Sequence, residues 1–195
     1  MLYYVLFIIL AYLLGSIPSG LIVGKVFYQT DIREHGSGNL GGTNTFRVLG
    51  KKAGIAVTIS DVLKGTLSIA IPFYFSPIEV NLLIIGVFSV IGHMYPLFAG
   101  FKGGKAVATS GGLVLGLSPL LFFIILATFF VLLYITKYVS LSSIVTSFIA
   151  VITALVMSRF DLLILTSVLL TFIVYRHIPN IKRLMNKTEP KITWM

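Results

Sequence analysis

The stretch that decides the fold is AVATSGGLVLGLSPLLFFIILATFFVLLYI, residues 106–135. It reads either as one 30-residue helix or as two helices broken at Ser118-Pro119. Proline favours the first turn of a helix, and the residue before it is biased out of the helical region. The charges flanking the stretch choose between the readings. With the break, Lys25, Arg33, Arg47, Lys51, Lys52, Lys102, Lys105, Lys137, Arg176, Lys182, Arg183, Lys187 and Lys191 fall on one side of a membrane. Arg159 alone falls opposite, and Lys64 lies within a pass. With one long helix, Lys137 and the whole tail cross over, and the asymmetry becomes 8 against 6. Basic residues gather in cytoplasmic loops, so the broken reading is preferred.

That argument presumes a membrane, and the composition requires one. Of 195 residues, 57% are hydrophobic and only 11% charged, against roughly 25% charged in a soluble domain. Too few polar residues exist to clothe a soluble core of this size. A pass takes roughly 20 apolar residues, so six or seven passes use most of the chain. The expected architecture is an all-α polytopic membrane protein, one domain over 1–195, with seven transmembrane helices. Its N-terminus lies outside and its C-terminus in the cytoplasm. The passes are placed at 2–24, about 53–75, about 81–99, 106–117, 119–135, 139–157 and 160–176. The start has no basic stretch before its apolar run and does not resemble a cleaved signal peptide. Pro18 is expected to kink the first pass, with neighbouring helices satisfying the freed carbonyl. Gly20 and Gly24 form a small-residue pair for close helix packing. The fourth helix, 106–117, is only about 18 Å long against a hydrocarbon core of about 30 Å. It is expected to be surrounded by protein, which puts the preceding GFKGGK, 100–105, in a protein-lined cytoplasmic cavity.

Several chemistries drop out. There is no cysteine, so disulfides, thiol catalysis and Cys-based metal sites are excluded. Three histidines, none in H-x-x-x-H spacing, argue against zinc. No G-x-S-x-G elbow occurs. The residues five after His35, His93 and His177 are Leu40, Phe98 and Lys182, so the His-x4-Asp pattern of common glycerolipid acyltransferases is missing. The net charge of +9 reflects cytoplasmic anchoring and not nucleic acid.

Two stretches carry the remaining polar chemistry. HGSGNLGGTNTFR, 35–47, mixes glycines, hydroxyls and amides with Arg47. Glycines let backbone N–H groups converge on an anion, and arginine offers a planar fork to phosphate. GHMYP, 92–96, leads to FKGGKAVAT, 101–109, where two lysines flank Gly103-Gly104 just before a helix. Free N–H groups at a helix start beside a lysine suit phosphate. The Walker spacing is absent. Asp61 and Lys64 form an i,i+3 pair inside the second pass, read equally as a structural lock or a functional pair. YRHIPNIKRL, 175–184, sits at the cytoplasmic end of the last pass, where His177 and Asn180 exceed what a basic anchor needs. These features fit a phosphorylated substrate with an apolar tail. A metabolite transporter would be expected to show an internal repeat and charges connecting both faces, and neither is found. A lipid-binding scaffold leaves the Asn/Thr/Gly loop unexplained.

SGNLGGTNTFRVLG (37–50), GHMYPLFAGFKGGKAVAT (92–109) and YRHIPNIKRL (175–184), with DVLKG at 61–65 and YVSLSSI at 138–144, resemble the bacterial PlsY family. These are acyl-phosphate:glycerol-3-phosphate acyltransferases, and the resemblance runs in order along nearly the whole chain. Two departures stand out: Ala106 and Lys187, where the family usually has glycine. The resemblance implies transfer of a fatty acyl group from acyl phosphate to the 1-hydroxyl of glycerol 3-phosphate, giving 1-acyl-glycerol 3-phosphate and phosphate, the first acylation of phospholipid biosynthesis. It implies no cofactor and no metal. Its partners are glycerol 3-phosphate, long-chain acyl phosphate and membrane lipid, beside the enzyme that makes acyl phosphate. It places the protein in the bacterial inner membrane with its site facing the cytoplasm. By matching positions, it implies catalytic roles for Ser37, Arg47, Lys105, Ser143, His177 and Asn180. Substrate and phosphate binding fall to Gly38, Asn39, Thr43, Asn44, His93, Lys102, Gly103, Gly104, Thr109 and Arg183. Arg47, Lys105 and Arg183 are assigned anion binding; Ser37, Thr43, Ser143 and Asn180 orient oxygens. His177 stays open between acid, base and hydrogen-bond donor. The same resemblance, with no nucleophile–base arrangement in the sequence, leads to the expectation of direct transfer without an acyl-enzyme.

Overall fold

The structure is a computed structural model and describes residues 2–193. Among these, all regular secondary structure is helical: α1 Leu2–Ser16, α2 Ser19–Tyr28, α3 Gly42–Leu49, α4 Lys51–Phe75, α5 Leu82–Met94, α6 Val107–Leu117, α7 Pro119–Thr136, α8 Val139–Val156 and α9 Phe160–Met185. Five spans are long and apolar enough to cross a membrane singly, namely α4, α7, α8, α9 and Leu82–Ala99, which extends α5 by the turn after it; α1 with α2, bent by 42° at their break, make a sixth. The polytopic all-helical architecture expected from the composition is present. The chain divides into two compact units, one ending at Leu117 and the next starting at Ser118. The division falls at the Ser-Pro break. Ser118 accepts from the Leu121 N–H at 3.4 Å, and Pro119 occupies the first helical position, where its missing N–H costs nothing.

In the first unit, helices approach closely because small residues meet at the crossings. A side chain on Gly15 of α1 would collide with the Ser89 backbone of α5, and one on Gly92 with the Tyr12 carbonyl of α1. Gly65 of α4 and Gly112 of α6 play the same part at their crossing, where Thr66 Oγ1 also donates to the Gly112 carbonyl at 2.9 Å. Lipid is as apolar as leucine, so close packing and such hydrogen bonds are what hold membrane helices together. The short α6 buries Thr109, Ser110, Gly112, Leu113 and Val114 against this surround.

Pro18 bends the first pass as expected. The Leu14 carbonyl, which the proline leaves without an i+4 N–H, accepts instead from the Ile17 N–H at 3.2 Å, while Lys64 Nζ of the neighbouring α4 donates to the Ile17 carbonyl at the break at 3.1 Å. Gly20 and Gly24 do a different job from the one expected. A Cβ on Gly20 would strike the Leu40 carbonyl and Ile32, and one on Gly24 the Thr30 carbonyl. They admit the 30–40 loop, whose buried Ile32 and Leu40 pack with Ala99. Asp31 caps the short turn 32–34 by accepting from the Arg33 N–H at 3.0 Å. The Arg33 side chain, hydrogen-bonded to the same carboxylate, holds its pKa well below the usual range.

In the second unit, α7 is apolar around its whole circumference and buries only Leu121 and Leu133, as a lipid-facing helix does. Helix α9 runs to Met185, about two and a half turns beyond the expected end at 176. Pro179 lies inside it. The YRHIPN motif is therefore helical, and the i,i+3 spacing puts His177 and Asn180 on one buried face.

Candidate active site

Each unit positions its own set of polar side chains. In the first, the 35–41 loop leads into α3. Gly36 and Gly38 take the left-handed conformation, with φ of 60° and 68°, open to glycine at no steric cost. Asn44 pins the loop. Its Oδ1 accepts from the Ser37 N–H at 2.9 Å, and its Nδ2 donates to the carbonyls of Ile32 and His35 at 3.0 and 3.2 Å. Asn39 closes a local turn by accepting from the Gly41 N–H at 2.9 Å. Ser37, Gly38, Thr43 and Arg47 stay exposed. Thr43 and Arg47 stand four residues apart on α3, so they share one face, while Asn44 and Thr45 are buried. Arg47 pairs with no carboxylate among the described residues.

The second stretch lies over the end of α5. The Gly104 N–H donates to the His93 carbonyl at 3.0 Å. A Cβ on Gly103 would strike that carbonyl, and one on Gly104 the Nε2 of His93. These two glycines serve close approach, not a left-handed backbone. Lys102 is exposed and Lys105 half-buried. His93 and Thr109, expected at the substrate, are 6% and 0% exposed. Thr109 Oγ1 lies 3.0 Å from His93 Nδ1. Both sit beneath the loop. Behind them Asp61 and Lys64 form a buried pair at 2.8 Å, and Ser19 donates to the same Asp61 oxygen at 2.9 Å. Breaking one partner of such a pair costs about 3–5 kcal/mol, whereas replacing both by neutral groups is often near neutral.

In the second unit, Ser143 is buried and donates to the Val139 carbonyl at 2.8 Å. His177 Nδ1 lies 2.8 Å from the Ile173 carbonyl. A carbonyl only accepts, so Nδ1 carries the proton and, in the neutral ring, the lone pair sits on Nε2. Asn180 and Arg183 converge on a residue the sequence reading missed. Glu189 Oε1 accepts from Asn180 Nδ2 at 2.6 Å and from Ser140 Oγ at 2.7 Å, and Oε2 accepts from Arg183 Nε at 2.7 Å. Burial pushes this carboxyl up, but the hydrogen bonds from Asn180, Ser140 and Arg183 outweigh it and leave it below its ordinary value. The Ile192 N–H donates to the Lys137 carbonyl at 2.9 Å, so the tail straps back onto the start of α8. The signal for Glu189 was present: it is the one acid after Asp161, in a segment otherwise basic.

The two departures from the family pattern acquire a physical meaning. Ala106 and Lys187 both adopt positive φ, 58° and 59°, where a Cβ costs about 1–2 kcal/mol and glycine costs none. Lys187 is exposed and follows the α9 terminus. Lys187→Gly is expected to stabilise the protein by about 0.5–1 kcal/mol, after subtracting the greater unfolded-state entropy of glycine. Thermal unfolding in detergent measures this, and an unchanged or lowered midpoint would contradict it.

Comparison with known proteins agrees with this architecture. The family model described as glycerol-3-phosphate acyltransferase matches residues 5–187. The chain is 57% identical over 190 residues to a glycerol-3-phosphate acyltransferase of Bacillus subtilis, covering 97% of this chain and 98% of that one. It is 56% identical, also over 190 residues, to one from Geobacillus kaustophilus, covering 97% and 96%. It superposes on crystal structures of PlsY (YgiH), an integral membrane glycerol 3-phosphate acyltransferase. The glycerol 3-phosphate form gives a TM-score of 0.91 at 38% identity, covering 98% of this chain and 96% of that one. The lysophosphatidic acid form gives 0.89 at 37% identity, with the same coverage. A match that runs through every motif and nearly the whole length, in sequence and in fold, makes this chain a member of the glycerol-3-phosphate acyltransferase family.

Proposed function

We propose that this acyltransferase takes its acyl group from a long-chain acyl phosphate and delivers it to the 1-hydroxyl of glycerol 3-phosphate, releasing phosphate and 1-acyl-glycerol 3-phosphate. The observation that carries the reading is the pair of pinned glycine segments, 36–41 and 103–104, each beside a cation that is not buried. Both substrates carry a phosphate, and two such segments match two phosphates. Arg47 and Lys105 bind them, with Lys102 adding charge at the second segment. Gly38, Gly103 and Gly104 shape the two segments, the Gly38 and Gly104 N–H groups being taken by the His35 and His93 carbonyls, and Ser37 and Thr43 contribute hydroxyls. Asn39, Asn44, His93 and Thr109 hold the loops that present these groups. From the second unit, Ser143 orients an oxygen. Asn180 and Arg183 serve with one face toward Glu189. His177 is the proton-handling residue of the second unit, its Nδ1 held by the Ile173 carbonyl.

Direct transfer follows from the chemistry of the donor. An acyl phosphate is already a mixed anhydride with phosphate as leaving group. Holding the hydroxyl against the carbonyl carbon supplies roughly 7–11 kcal/mol, and prearranged donors stabilise the developing charge. No acyl-enzyme is needed. The assay is purified protein with radiolabelled glycerol 3-phosphate and each donor in turn. Product is expected with acyl phosphate and not with acyl-CoA. Comparable rates with acyl-CoA would refute the reading.

The same proposal sets the protein in the bacterial inner membrane as one functional domain, crossing seven times with its site toward the cytoplasm. Its motive is the charge asymmetry together with the short apolar α6. A cysteine at Lys137→Cys should label only from the cytoplasm, and one at Arg159→Cys only from outside. Labelling of position 137 from outside would overturn this topology.

A further inference from the structure

We infer that Asp61 is a positioning residue of the reaction: it fixes the ring of His93, and His93 fixes the Gly103-Gly104 backbone that presents Lys105. The inference rests on the reading above, that this loop binds a substrate phosphate.

The observations form a single chain of contacts within the first unit. Asp61 is 2% exposed, and one of its carboxylate oxygens, Oδ1, takes both the Ser19 hydroxyl at 2.9 Å and Lys64 at 2.8 Å. The same oxygen stands 3.7 Å from His93 Nδ1. Thr109 Oγ1 reaches that nitrogen at 3.0 Å. One edge of the imidazole is thus set by a hydroxyl and a carboxylate field. The opposite edge, at Nε2, fills the space where Gly104 has no side chain. The backbone of His93 holds the same glycine through its carbonyl, at 3.0 Å. Ring and carbonyl together grip the loop one residue before Lys105. Rotation of the ring would drive Nε2 into Gly104 or withdraw it and leave the loop unsupported. Asp61 and Lys64 also need each other, so a single substitution there confounds a charge left unpaired with a loop left unheld.

The pair is therefore replaced together. In Asp61→Asn/Lys64→Met, no buried charge is left alone, and the protein is expected to stay monodisperse with a near-normal melting midpoint. Its KM is expected to rise about 10-fold or more for one of the two phosphorylated substrates while the other KM stays unchanged, since a misplacement near 1 Å can cost about 10²-fold. Thr109→Val, which keeps shape and removes the hydroxyl, should raise the same KM, and Thr109→Ser should restore it to within about 3-fold of wild type. Adding Thr109→Val to the pair variant should cost less than the product of the separate effects, because both act through one ring. General loss of folded enzyme would lower apparent kcat and leave both KM values alone. Unchanged KM for both substrates in the pair variant and in Thr109→Val overturns the inference, and so do fully multiplicative effects. Lys105→Ala, measured in parallel, separates this from the functional reading. If Lys105→Ala leaves both KM values unchanged, the loop does not bind phosphate and that reading fails. If it raises KM and the Asp61 and Thr109 variants do not, only the present inference fails.

Discussion

Arg47→Ala is expected to lower kcat/KM by roughly 10- to 150-fold, the equivalent of about 1.5–3 kcal/mol of charged hydrogen bonding. The expectation comes from where the side chain stands. Arg47 is exposed on α3, one turn from Thr43, and no carboxylate among the described residues takes up its charge. It contributes little to folding, so the melting midpoint should move by less than about 0.5 kcal/mol equivalent. Lys105→Ala should show a loss of the same order, since a lysine beside a glycine segment acts as a point charge on phosphate. Arg47→Lys should recover little, having no planar fork to place two parallel hydrogen bonds. Steady-state kinetics with each substrate varied measures all three. Wild-type constants in both alanine variants would remove phosphate binding from these residues.

Glu189→Ala is expected to destabilise the protein by roughly 2–4 kcal/mol, somewhat below the range for breaking a fully buried pair. The carboxylate side chain is 7% exposed, but Arg183 is 41% exposed and partly solvated. Three donors lose their acceptor at once: Ser140 at the start of α8 and Asn180 and Arg183 on α9. The tail strap should loosen, which limited proteolysis after Met185 would detect. Acid should act in the same direction. The folded pKa lies below the ordinary 4.5, so this carboxylate contributes stability fully above about pH 4.5 and loses it as pH falls through the folded value. A variant as stable as wild type, with a tail equally resistant to protease, would contradict the role.

Much of this was legible in the sequence for physical reasons. Helix placement followed from apolar run length, and the Ser118-Pro119 break from local backbone chemistry plus charge asymmetry. Proline chemistry predicts the bend at Pro18, but the carbonyl it frees, that of Leu14, is satisfied by the Ile17 N–H of the same segment, and the neighbouring helix serves the Ile17 carbonyl instead, through Lys64. The motifs holding Ser37, Arg47, Lys105, His177 and Asn180 were visible as polar chemistry that a membrane anchor does not need. What sequence could not show was the direction in which each polar side chain is spent. Asn44 looks like a ligand by composition, yet its amide is taken up by three backbone groups. Thr109 precedes a helix body like a phosphate-loop hydroxyl, yet it lies wholly buried on His93. Gly20 and Gly24 matched a helix-packing pattern, which fixes spacing but not the partner that fills the gap. Glu189 was passed over because a lone acid in a basic tail carries no periodicity. Helix α9 outruns its apolar stretch by about two and a half turns, in which Asn180 and Arg183 hydrogen-bond to Glu189 of the tail.

The central claim is acyl transfer from acyl phosphate to glycerol 3-phosphate in one step. It is tested most directly by mixing purified protein with acyl phosphate, with and without glycerol 3-phosphate, then following phosphate release and the intact protein mass. The account predicts phosphate release only when both substrates are present, one phosphate for each 1-acyl-glycerol 3-phosphate formed, and no acyl adduct on the protein. A burst of phosphate without glycerol 3-phosphate, accompanied by a kinetically competent acyl adduct on a serine, threonine or histidine, would contradict it.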